Sequence, residues 1–170
     1  DMPDCTGAGR SSRVGRTSMI RQRGFEFVTA FAAAGLKLPT RSTPGSAGYD
    51  IAAAENVCLH AGGRALVPTG LKAYMQTDEY LGIHIRSSLA VKQGLYLANS
   101  QGIIDADYYN NPDNEGHILI AVVNGGKQDV VIEAGMRIAQ GIFCKYLLTD
   151  NDAVSKKDTR SGGIGSTGNL

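Results

Sequence analysis

Ile118-Leu119-Ile120-Ala121-Val122-Val123-Asn124-Gly125-Gly126 opens the stretch that decides the fold, and the same texture runs on through Val130-Val131-Ile132, Glu133-Ala134-Gly135 and Ile138 to Cys144. Each apolar run is shorter than an ordinary globular helix and is closed by turn residues. Such runs read as buried strands joined by tight connections. Toward the N-terminus the pattern changes to alternation. Val57, Leu59 and Ala61 alternate with polar or small neighbours, as do Leu71, Ala73 and Met75, and then Ile83 and Ile85. That is the period of a half-buried strand. Ala61-Gly62-Gly63 and Pro68-Thr69-Gly70 supply the breaks. Short strands at this spacing predict an all-β domain, a sandwich or jelly roll. No internal repeat is visible.

Two segments have helical character. Phe31 to Leu36 is Ala-rich, but Gly35 and Pro39 stop it early. Ser87 to Gly94 predicts about a turn and a half, with Ser87 or Ser88 as cap and Gly94 as terminator.

A length of 170 residues, 42% of them hydrophobic, suits one domain with a real core. Twenty-two glycines against 6% aromatics and no Trp fit a turn-rich architecture. The formal net charge of +1 argues against broad nucleic-acid binding, although a few cations can still gather around one anion. Three cysteines (Cys5, Cys58, Cys144) and three histidines (His60, His84, His117), without paired spacing, predict neither a disulfide framework nor a zinc site. No run has the length of a membrane span or the core of a signal peptide. The expected setting is cytoplasmic, with an organellar or nuclear one left open, and no membrane or nucleic-acid partner is expected.

The two ends differ from the middle. Residues 1–24 carry Arg10, Arg13, Arg16, Arg21 and Arg23 among Gly, Ser and Thr. They read as a flexible tail, part of it foreign to the natural protein, with Met19 as the natural start. A transit peptide and a nucleic-acid arm are the competing readings. Residues 25–148 make the β core. Over residues 149–170 the apolar pattern fades into Arg160-Ser161-Gly162-Gly163-Ile164-Gly165-Ser166-Thr167-Gly168. This segment reads as an arm that orders on something other than its own core. Its formal GxGxxG match is rejected as a dinucleotide fingerprint, because no helix or βαβ unit follows.

Four segments can carry chemistry. Arg86-Ser87-Ser88-Leu89-Ala90 joins a cation, two hydroxyls and a helix start, which suits phosphate. It equally fits a plain capped helix. Gly102-Ile103-Ile104-Asp105-Ala106-Asp107-Tyr108 places two carboxylates on one face of an extended run, with Tyr108 opposite unless the strand turns. Beside a polyphosphate such an Asp can orient or deprotonate water; alone, the segment reads as an acidic surface turn. Gly135-Met136-Arg137-Ile138-Ala139-Gln140 feeds a strand bearing Arg137 and Gln140. The Gly-rich arm can close over phosphates with backbone amides.

These segments, taken in order with Ala47-Gly48-Tyr49-Asp50-Ile51, resemble the five ordered motifs of the trimeric dUTPase family over Phe25 to Gly168. The resemblance implies a β-clip jelly roll with one short helix and a flexible C-terminal arm. It implies a homotrimer whose three sites lie at subunit interfaces, each covered by another subunit's arm. It implies hydrolysis of dUTP to dUMP and pyrophosphate. Asp105 would activate the water that attacks the α-phosphorus. Tyr108 would pack on the deoxyribose and exclude a 2′-hydroxyl. The hairpin around Gly102, Ile104 and Leu119 would read uracil. Arg86, Ser87, Ser88 and Gln140 would hold phosphates, and Arg160, Ile164, Gly165 and Ser166 would close the lid. Asp50 and Arg137 would brace the site. Mg²⁺ would be carried mainly by the triphosphate, with no direct protein ligand.

Several positions depart from the family pattern. Ile85 stands where Pro is usual, Ser88 where Gly is usual, and Ile164 where the family's arm has a Phe that stacks on uracil. Arg160 sits one residue nearer Ile164 than the common spacing. Tyr109 to Glu115 lengthens the hairpin and predicts a surface loop. The related dCTP deaminases carry a Glu where this chain has Ala121, and Ala cannot move protons. A non-catalytic nucleotide-sensing or partner-binding protein on the same scaffold is the other alternative.

Overall fold

Alternating apolar positions become strands, and the turn glycines separate them, over most of the chain. The computed structural model describes residues 20–152 together with 157, 160 and 162–164. In chain order the strands are β1 Gly24–Phe27, β2 Thr40–Arg41, β3 Tyr49–Ala52, β4 Val57–Leu59, β5 Arg64–Pro68, β6 Leu71–Tyr74 and β7 Glu79–Ile85. The helix α1, Ser87–Gln93, follows, and then β8 Leu95–Leu97, β9 Gly102–Asp105, β10 Leu119–Asn124, β11 Val130–Ile132 and β12 Arg137–Lys145. The main sheet has the order β2-β3-β12-β7-β9, and a second has β5-β10-β8. Two ribbons, β1-β6 and β11-β4, complete the set, and every pairing is antiparallel. The all-β expectation with one short helix is met.

Inward side chains from these sheets meet in one core. Ile51, Leu81, Ile83 and Ile138 come from the main sheet, Val67, Leu97, Ile120 and Val122 from the second, and Leu59 and Ile132 from a ribbon. Each fully buried aliphatic side chain of this kind contributes roughly 1.5–3 kcal/mol. The run from Ile118 to Val123 is not buried throughout, as its composition suggested. Its burial alternates, with Ile120 and Val122 inward and Leu119 exposed. Leu119 and Ala121 instead line a pocket, so apolar composition on both faces marks a ligand wall as well as a core.

Local details correct two further expectations. The helix beginning at Ser87 has Arg86, not a serine, at its N-cap position, and no side chain caps it. The cause is the adjoining sheet. The Arg86 N–H bonds to the Ile138 carbonyl at 3.0 Å and holds Arg86 extended up to the first helical residue. At the other end Gly94 adopts φ +69° and its N–H reaches the Ala90 carbonyl at 3.1 Å. A side chain there would also crowd Gly126, so the predicted glycine terminator is required twice over. The Ala-rich Phe31 to Leu36 forms no α-helix. A 3₁₀ turn covers Thr29–Phe31, and Phe31 packs against the His117 ring at 5.4 Å.

The tail assigned to residues 1–24 extends too far. Arg23 donates to Glu79 at 2.8 Å, Arg21 stacks over Tyr74 at 3.9 Å, and Gly24 already belongs to β1. Residues 1–19, including Met19, lie outside the described residues. No described helix is long and apolar enough to cross a membrane.

Candidate active site

β7 lies between β12 and β9, and the chemistry gathers along its length. Beside β9 is a cavity of about 400 Å³. Gly102, Ile103, Ile104 and Asp105 form one wall, Leu119, Ile120 and Ala121 another, and Tyr108, Asn114, Arg160, Gly163 and Ile164 the rim. β9 ends at Asp105, and a 3₁₀ turn over Ala106–Tyr108 swings Tyr108 back to the Asp105 side. The strand therefore turns, and Tyr108 joins the cavity. β9 and β10 do not pair as a hairpin. They belong to different sheets yet face the same space, because β9 bonds to β7 while β10 bonds to β5 and β8.

Arg160 binds both carboxylates of this segment. Its Nη2 lies 2.5 Å from Asp105 and its Nε 2.9 Å from Asp107. Only 16% of the Arg160 side chain is exposed, against 49% for Asp105. Within this chain the arm thus contacts its own core at Arg160, although Ile164 stays 86% exposed. Gly165 and Ser166 lie outside the described residues.

A second group sits at the other end of β7. Arg137 pairs with Asp50 at 3.2 Å, and the Ser42 hydroxyl donates to the same Asp50 oxygen at 2.9 Å. Burial pushes the Asp50 carboxyl up, but Ser42 and Arg137 outweigh it, and its pKa falls below the usual 3.8. The other Asp50 oxygen, Oδ1, is buried without a hydrogen-bond partner among the described residues. Gln140 packs closely on Gly48, where an added Cβ would meet its Oε1 at 2.9 Å. Arg86 points its guanidinium toward the Arg137 carbonyl at 3.5 Å, and Ser87 and Ser88 are exposed.

These two groups do not meet within one chain. Asp105 pairs in register with Tyr80, whereas Gln140 pairs with His84 and Arg86 follows Ile85. From Tyr80 to Arg86 the strand rises roughly 20 Å at ~3.3 Å per residue. One chain therefore carries an acid-and-aromatic pocket and a separate cationic cluster.

The dUTPase family profile matches residues 34–168. The chain belongs to the dUTPase family. The deoxyuridine 5'-triphosphate nucleotidohydrolase of Lactococcus lactis subsp. lactis is 54% identical over 149 residues, covering 88% of this chain and 99% of that one. The Rickettsia felis protein of the same description is 43% identical over 136 residues, 77% of this chain and 88% of its own. Among solved structures, the dUTPase from Streptococcus mutans superposes with a TM-score of 0.71 at 52% identity, covering 75% of this chain and 98% of that chain. A dUTPase from phage phi11 of S. aureus, at 19% identity and a TM-score of 0.65, shares the fold. The five-motif resemblance therefore identified the family correctly.

Sequence reasoning missed Asn114. The segment Tyr109 to Glu115 was expected to be a surface loop, and Pro112 and Asp113 are exposed. Asn111, however, is buried and bonds the Tyr108 carbonyl at 2.8 Å, while Asn114 reaches the Tyr108 hydroxyl at 2.8 Å. Asn and Asp in a turn signal only local bonds, and nothing in the composition showed which side chain would face inward.

Proposed function

We propose that this dUTPase hydrolyses dUTP to dUMP and pyrophosphate by water attack on the α-phosphorus. The observation that carries the reading is that Asp105 and Tyr108 line one nucleoside-sized cavity. Asp105 accepts a proton from the attacking water as the new P–O bond forms and the bond to the β-phosphate oxygen breaks, releasing pyrophosphate. Tyr108 packs on the deoxyribose, and the β9 and β10 walls around Gly102, Ile104 and Leu119 receive uracil. Arg160 is shared between Asp105 and Asp107 in the free chain. An arriving triphosphate competes for that guanidinium through charge-assisted bonds and frees Asp105 to act as base.

Arg86, Ser87, Ser88 and Gln140 supply the phosphate contacts, braced by Asp50 and Arg137. Since Gln140 lies roughly 13 Å and Arg86 roughly 20 Å along β7 from Asp105, they act on a nucleotide held by another chain's Asp105 and Tyr108. That division supports the homotrimer with sites between subunits. Magnesium fits as an ion carried by the triphosphate. Among the described residues the single close group of three ligands is Cys58, His60 and Asp129, whose thiol and imidazole suit softer metals. Bound to the phosphates, Mg²⁺ would offset charge that develops in the transition state. Ala121 lines the cavity with only a methyl group, which disfavours deamination of dCTP.

The test presents dUTP, dCTP, dTTP and UTP with Mg²⁺ to the protein and to Asp105→Asn. Cleavage of dUTP alone, lost in the variant by at least about a hundredfold, is the expected outcome. Binding of dUTP without any cleavage would replace this reading with the nucleotide-sensing one.

A further inference from the structure

We propose that Asn114 is a positioning residue that locks the Tyr108 ring and so sets the discrimination between deoxyribo- and ribonucleotides. The proposal rests on the reading of Tyr108 as the sugar-facing ring. The Tyr108 hydroxyl donates to the His117 carbonyl at 2.6 Å and accepts from Asn114 Nδ2 at 2.8 Å. A phenol has one proton, and a carbonyl can only accept. The amide of Asn114 must therefore be the donor, which fixes its orientation.

Its other end is equally committed. Asn114 Oδ1 accepts from Asn111 Nδ2 at 2.8 Å and from the Gly116 N–H at 3.1 Å. Buried Asn111 in turn accepts from the Asp113 and Asn114 N–H groups and donates to the Tyr108 carbonyl. The base of the loop is tied down through Glu115, whose carboxylate takes Thr29 N and Oγ1 at 3.1 and 3.0 Å and Lys72 at 3.4 Å. Gly116 at φ +86° brings the chain back so closely that a Cβ would lie 2.6 Å from the Tyr108 carbonyl oxygen. The extra residues after Tyr108 thus form a bracket whose working contact is the Tyr108 hydroxyl. Exclusion of one 2′-oxygen is steric, and a wall excludes it only if the wall cannot yield. Two hydrogen bonds at the far end of the ring remove the freedom to tilt.

The test uses the full-length protein and measures kcat and KM for dUTP and UTP. Asn114→Asp keeps the acceptor that Asn111 and Gly116 need but replaces the donor by a second acceptor, so the new carboxylate and the His117 carbonyl compete for the single Tyr108 proton and one of the two bonds is lost. The UTP-to-dUTP ratio of kcat/KM is expected to rise about three- to tenfold, the value of one hydrogen bond. The same substitution in a Tyr108→Phe background should add nothing, because its target is gone. Equal effects on both nucleotides, or an undiminished effect in the Tyr108→Phe background, would overturn the assignment. If Asn114→Asp does not fold, Tyr108→Phe alone carries the test, since it removes both bonds and should relax selectivity alike. Tyr108→Ala separates the premises. Unchanged selectivity in that variant overturns the sugar-facing reading itself. Relaxed selectivity there, with Asn114→Asp inert, overturns only the role of Asn114.

Discussion

Ile164 is a position at which one side chain is expected to change nucleotide affinity without altering the chemistry beneath it. It stands at the cavity rim and is 86% exposed in the free chain. An aliphatic group there offers a nucleobase no flat partner, whereas base–aromatic stacking is worth roughly 1–3 kcal/mol. Ile164→Phe is expected to lower the dUTP KM by about fivefold or more, with kcat little changed. Calorimetry in an Asp105→Asn background measures the affinity without turnover, and equal affinities would refute the stacking argument. Asp105 and Tyr108, which the structure brings to this cavity, were singled out in the sequence because they lie within one short motif, whereas Arg86 and Gln140 of the other motifs do not line it. Asn114 was not legible, since its role depends on which way a seven-residue turn folds.

The strands illustrate the same boundary between local and distant information. The bounds of β11 were readable, because Gly126 and Gly135 flank an apolar triplet, but its expected burial holds only for Ile132, with Val131 60% exposed at this two-stranded ribbon. β1 was hidden among tail arginines. Its existence depends on pairing with β6 and on the Arg23–Glu79 contact, both remote in sequence. His117, just before β10, ties three elements together. Its Nε2 accepts the Gly70 N–H at 2.9 Å, its carbonyl holds Tyr108, and its ring meets Phe31. Burial lowers its pKa below the usual 6.5, as an unprotonated Nε2 requires. The unfolded chain takes up a proton near that value while the folded chain resists it to lower pH. Its contribution is therefore present above the unfolded pKa and is lost as pH falls toward the folded one. His117→Gln preserves an acceptor and does not titrate. Urea midpoints at about pH 7.5 and about pH 5.5 should differ less in the variant than in the parent.

At the scale of the whole molecule, the separation along β7 makes a direct prediction about assembly. Arg86→Ala and Asp105→Asn chains should each be nearly inactive. Co-expressed, they should recover part of the dUTPase activity, because in the proposed trimer a mixed assembly would join an intact cationic cluster to an intact pocket. Sedimentation of the purified mixture would confirm trimers, and absence of recovery despite mixing would refute shared sites. Single-chain geometry shows why no motif alone disclosed this. Each is local, and only the register of β7 against β9 and β12 shows the two groups separated along the strand. The same register has a kinetic consequence. On the proposed shared site a lone chain would not complete a turnover, so the initial rate should rise more steeply than linearly with enzyme concentration where the assembly dissociates. The cell's rate of clearing dUTP would then depend on how many chains it makes as well as on how fast each works.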